Sequence, residues 1–241
     1  MRPKGHCQSK AGVIPRLLAV PGLLTLILLL ASPLPAADES WLDDESFWEN
    51  VVTPEKNLGE LKFLSRTPAE PVHHHVNRIT VDADSLTTGW VELNQCHQDI
   101  DRVGRAQILY RSDATEDLEI LHEKNIGESW VQGASIQLRD IGEGAELCIR
   151  ARSKMLTALS NDQYVLNNGP FMRRFFDGYF PMRVTVEVSW EGLDIAFDSS
   201  DPPAQEGFAV AVLPDSVTVE ATFEGRLRTA LFFANGQPIN R

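Results

Sequence analysis

The alternation of apolar and polar side chains over residues 182–190 does most to limit what this chain can fold into. Met182, Val184, Val186, Val188 and Trp190 alternate with Arg183, Thr185, Glu187 and Ser189. A period of two sends successive side chains to opposite faces of a strand, so one face here is dry and the other wet. Val217, Val219, Ala221 and Phe223 repeat the pattern, and Leu227, Thr229, Leu231 and Phe233 repeat it again after Glu224-Gly225. Two such runs around a short turn predict a β-hairpin. Leu193–Phe197 and Phe208–Val212 add two strands, joined by a proline-containing loop.

A first group of shorter apolar runs precedes these: Asn77–Val81, Trp90–Cys96, Arg105–Arg111, Asp117–Leu121, Ala134–Leu138 and Ala145–Arg152. They are rich in β-branched and aromatic residues and are separated by Gly, Asp and Asn, the punctuation of strands and turns. Asp82-Ala83-Asp84 and Asp99-Ile100-Asp101 read as turn acids, and neither continues into a calcium-binding loop. Between the two groups, residues 167–181 change to a period near 3.6. Pro170 suits a first helical position and Gly178 the residue just past a helix. A two-turn helix is expected there, burying Phe171, Met172, Phe175 and Phe176 and turning Arg173, Arg174 and Asp177 outward. The expected fold is all-β and sandwich-like. It comprises two successive β modules, 72–158 and 165–241, or one long sandwich, with the short helix at the junction.

The first residues read as an export signal. Arg2, Lys4, Lys10 and Arg16 form a positive region without acids, Leu17–Ala31 is an apolar run of 15 residues, and a Pro- and Ala-containing segment follows. Cleavage is expected after Ala36 or Ala37, giving a signal peptide of 1–37. The run is shorter than the ~20 residues of a spanning helix, so no stable membrane insertion is expected after cleavage. The four cations leave without any acid, so a formal charge of −12 falls to −16 over the remaining 204 residues. Nucleic acid and anionic lipid repel such a surface. Residues 38–71 read as an acidic aromatic segment, with Trp41 and Trp48 seven apart, followed by a linker containing Pro54, Pro68 and Pro71.

Cysteine usage fits export. Cys7 lies in the signal, which leaves Cys96 and Cys148, an even pair expected to form one disulfide in an oxidising compartment. The expected location is the periplasm in a Gram-negative cell and the exterior otherwise.

The histidines are the candidate metal ligands. In an extended chain His73 and His75 point to one side and His74 to the other, and two imidazoles at that spacing can share an ion. Zinc needs a third and usually a fourth ligand, which His97 and His122 are placed to supply only if the fold gathers them. The bland alternative is a surface cluster. No cofactor is required by the sequence; zinc or copper is the metal such a cluster would take. No nucleophile elbow, no H-E-x-x-H pair and no phosphate loop is present. Arg173, Arg174, Tyr179 and Phe180, together with Trp41 and Trp48, form the candidate interaction surface, because arginine and aromatic residues carry interface energy. The expectation is an exported, non-catalytic envelope protein that binds another envelope or extracellular protein, or a ligand. The alternatives are a metal-dependent hydrolase or metal-binding protein using His73–His75, and a structural envelope component.

Overall fold

The structure is a computed structural model that describes residues 57–66, 68, 71–160 and 162–236. The expected signal and the segment bearing Trp41 and Trp48 lie outside those residues. The described chain is all-β with one short helix, and its strands form two main sheets, neither closed into a barrel.

The larger sheet has nine strands: β1 (Lys62–Phe63), β2 (His74–Thr80), β3 (Trp90–Ile100), β4 (Arg105–Leu109), β5 (Thr115–Val131), β6 (Ser135–Lys154), β11 (Met182–Ser189), β13 (Phe208–Leu213) and β14 (Ser216–Glu224). The smaller has four: β7 (Leu156–Ser160), β8 (Gln163–Phe171), β12 (Ile195–Asp201) and β15 (Leu227–Asn235). A separate hairpin is formed by β9 (Arg173–Phe175) and β10 (Gly178–Phe180). In the large sheet β11 pairs antiparallel with β14 and parallel with β2, and β3 and then β6 follow. β3 and β4 lie along the same edge of β6, and β5 runs along the other.

The alternating faces meet across one core. Val184, Val186, Val188, Val217, Val219 and Phe223 from the large sheet pack with Leu166, Phe171, Leu227, Leu231 and Phe233 from the small one, all nearly inaccessible. The two sheets therefore bury each other's apolar faces as a sandwich does. A second cluster lies around β6, where Ile136, Leu138, Leu147 and Ile149 are covered by Ala106, Ile108, Tyr110, Ile120 and Ile126. β5 shifts register at three places, and Asp117, Asn125 and Asp140 adopt positive φ. Such bulges bend and twist a strand.

The sequence expectations need four corrections. Residues 170–177 are not a helix. Phe171 ends β8 in the core, and the rest forms the β9–β10 hairpin, with Phe175 and Phe180 edge-to-face at 5.4 Å. A two-turn helix has too few internal bonds to resist that cross-strand packing. Second, β14 and β15 are not a hairpin: they belong to different sheets and face each other across the core. Gly225 makes the crossing, at φ +90, where a Cβ would lie 1.9 Å from the Glu60 carbonyl oxygen. Third, 82–88 is not merely a turn. Asp82 caps α1 (Ala83–Thr88), accepting from the Ser85 amide at 2.8 Å while Ser85 Oγ accepts from the Asp82 amide at 3.1 Å. Fourth, the interval expected between two modules falls within the paired strands β7 and β8, where Ala158 lies opposite Tyr164, and strands from both sequence groups share one sheet and one core, as the alternative of one long sandwich expects.

Candidate functional site

β2 alternation sets the site. His75, Asn77 and Ile79 lie on the face toward the core, while His74, the buried Val76 and Arg78 lie on the other face. Antiparallel register then places His75 opposite His97 and Asn77 opposite Gln95, so four polar side chains meet on an otherwise apolar face. His73, one residue before β2, reaches the same group. His73 Nε2 is 2.9 Å from His97 Nδ1, and the His75 and His97 rings are 4.4 Å apart. The edge of His75 meets Phe171 at 4.9 Å between centroids.

Amides and a phenol hold the rings. Gln95 Oε1 accepts from the Tyr110 hydroxyl at 2.5 Å and faces His97 Nε2 at 3.2 Å. We assign the proton of His97 to Nε2 on that basis, which leaves Nδ1 to accept from His73 Nε2–H. Gln95 Nε2 contacts His75 Nε2 at 2.6 Å and donates to Asn77 Oδ1 at 2.9 Å. Asn77 Nδ2 donates in turn to Asn168 Oδ1 on β8. Burial governs the charge state. It lowers the His73 pKa to about 4 and that of His75 to about 3, and it holds His97 well below the ordinary histidine value. Asp101 opposes the shift at His73 without reversing it. Burial likewise pushes the Tyr110 phenol up. The cluster is neutral at neutral pH.

His73 and His97 form the polar end of a cleft of about 730 Å³. One wall is Ile100, Val103 and the four residues Arg105–Ile108; the other is Met172–Phe176 of the β9–β10 hairpin. The size falls within the range of ordinary ligand pockets, and the lining of apolar surface with a few convergent polar groups has the usual composition. Arg173 fastens the hairpin across the cleft. Its Nε donates to Asp101 Oδ2 at 2.9 Å, a second guanidinium nitrogen bonds Asp101 Oδ1, and Nη1 donates to the Pro181 carbonyl at 3.1 Å. Its guanidinium also lies over Phe175 and Phe180, at 5.7 and 5.8 Å.

Of the residues singled out in the sequence, His73, His75, His97, Arg173 and Arg174 converge on this region. His122 does not: it pairs with Cys148 on β6, next to Cys96, on the face of the sheet opposite His75. Cys96 and Cys148 are joined, directly opposite one another on β3 and β6. Arg173 is not an outward-facing residue, since Asp101 holds it. Arg174 and Arg226 stack on Tyr179 from 5.7 and 5.6 Å, and Phe180 is half-buried against Phe175. Phe176, expected in the core, is the fully exposed hairpin tip. Among the described residues no group of three or more His, Cys, Asp or Glu is arranged to hold a metal ion. His73 Nε2 and His97 Nδ1 are paired with each other, and His75 is engaged by Gln95 and Asn77.

Sequence reasoning missed Gln95, Asn77 and Tyr110, and read Asp101 as a turn acid rather than the partner of Arg173. The available signal was parity: Gln95 and His97 share a face of β3, as His75 and Asn77 share one of β2. Comparison with family models, with curated proteins and with solved structures returns no match.

Proposed function

We propose that this chain is an exported, non-catalytic binding protein of the cell envelope or exterior, and that the cleft beneath the β9–β10 hairpin is its working surface. The single observation that carries the reading is the cleft itself, which joins apolar side chains to the neutral imidazoles of His73 and His97. Neutral imidazoles whose nitrogens are already committed to amides and to one another suit a shaped floor, which orients a bound group through few polar contacts. Export is supported by the charged and apolar leader and by the single disulfide, which persists in oxidising compartments. The bound molecule is a ligand or a segment of another envelope or extracellular protein.

Nile red, a neutral dye that brightens in apolar surroundings, tests the cleft on the full chain. Wild type is expected to bind it with a blue shift. Ala106→Trp, which fills the wall, and Met172→Glu, which charges the opposite wall, are each expected to abolish the signal without lowering the melting temperature. Equal binding by wild type and both variants would place the dye elsewhere and remove the cleft from the account.

A further inference from the structure

β4 has one paired edge and one free edge. It pairs with β6 alone, whereas its collinear neighbour β3 is flanked by β2 on the corresponding side. The parity of the β4–β6 ladder follows from two flanking bonds: the Tyr110 amide donates to the Ala134 carbonyl at 2.9 Å, and the Asp140 amide to the Gly104 carbonyl at 3.0 Å. Even-numbered residues therefore direct their backbone groups to β6, and Arg105, Gln107 and Leu109 direct theirs to the free side. No backbone partner for those three is found among the described residues. Arg105–Ile108 line the cleft in an unbroken run, so the free edge is a cleft wall.

We infer that the cleft receives an extended segment of a partner protein, added to the large sheet as a strand on the free edge of β4. The inference rests on the cleft reading above and names its occupant. Unpaired strand groups lose free energy when buried, so a molecule filling this cleft must satisfy them, and an extended backbone does so with the required spacing. The occupied position lies in line with β2, beginning beside His73 and His97. Five residues of β4 match about 17 Å of added strand. The inner side of that strand would face Ile100, Ala106, Ile108 and Leu138, so alternate residues of the partner are apolar. Its remaining residues are acidic: Arg105 and Arg174 have no ion-pair partner among the described residues, in a chain whose formal charge is −12.

A comparison within the same sheet supports β4 as a receiving edge. β5 also has a free edge, but it is bulged at three places and carries Glu116, Asp117, Glu119, Glu123, Lys124 and Glu128. Bulges and charges are how sheets refuse further strands. β4 has neither a bulge nor a proline, and the β9–β10 hairpin stands over it instead.

The probe is a displayed library of random dodecapeptides selected on the immobilised full chain. Enriched peptides are expected to alternate apolar and acidic residues and to lose affinity at least about tenfold on Gln107→Pro, the effect of removing one or two backbone bonds and crowding the edge. Gln107→Pro deletes an amide that does not serve β6, so the fold is expected to survive. If that variant does not fold, the same peptides methylated on alternate backbone nitrogens replace it and are expected to fail to bind. Peptides that ignore the proline and the methyl groups, or no enrichment while Nile red still binds, would overturn strand addition and leave the cleft reading standing. Loss of both probes from the wild-type chain would overturn both. A wild-type dimer that Gln107→Pro converts to monomer would make the occupant a second copy and overturn the partner assignment.

Discussion

The two halves of the large sheet differ in what covers them. Around β11 and β14 the inner face meets a second sheet, and Val186, Val219, Phe223, Leu231 and Phe233 fill the interface with almost no exposure. Around β6 the cover comes from its own sheet, through Ile100, Ala106, Ile108, Ile120 and Ile126, and a smaller cluster is the result. The first half is a closed packing problem solved by apolar residues alone. The second is stapled by Cys96–Cys148, carries the buried histidines and amides, and has the cleft. Packed layers supply stability, and the less covered half has the cleft and the unpaired backbone groups on which the proposed binding rests.

The comparison breaks most sharply at Phe233, whose ring packs against Trp190 and Phe197 between the sheets. Phe233→Ala is expected to cost about 4 kcal/mol, from lost burial and the cavity left behind. Chemical denaturation measures it, and a loss below about 1 kcal/mol would mean the layers are not tightly packed. Next is the staple. Cys148→Ser is expected to cost about 3 kcal/mol, because the bond spans a sequence separation of 52 and restrains the unfolded chain. Amide exchange is expected to rise around β6 before it rises around β11; uniform acceleration would deny the two halves separate behaviour.

A third contrast concerns pH. His73, His75 and His97 have native pKa values below the unfolded value near 6.5, so below that pH the unfolded chain binds more protons than the native one. Stability from this source is complete above pH 6.5. It is lost progressively as pH drops below 6.5 toward 4, where His73 begins to charge in the native state. Imidazole proton resonances followed by NMR are expected to stay in the neutral position at pH 5.5 for these three rings. Titration near 6.5 would show that water reaches them.

Much of the fold was legible because alternation survives in the sequence. The faces of β11, β14 and β15 were readable residue by residue. Pairing was not, since an apolar face fits a hydrogen-bonded neighbour's face and an opposing sheet equally well; this is why β14 and β15 read as a hairpin although they lie in different sheets. The stretch 170–177 misled for a related reason. Eight residues satisfy a period of 3.6 and a strand–turn–strand pattern alike, and the choice depended on Phe180 lying against Phe175. The histidine cluster was half visible: His73 and His75 share a side of any extended chain, but only register with β3 brings His97 to them and carries His122 to the other face. The free edge of β4 has no sequence signature, because it is defined by a strand that is absent beside it.

Amide hydrogen exchange along β4, resolved by residue, tests that edge most directly. Fast exchange is expected at Arg105 and Gln107 in the free chain, slow exchange at Ala106 and Ile108, and slowing of the first pair alone when a selected peptide is added. Protection of Arg105 and Gln107 in the free chain, or no change on adding peptide, would contradict it.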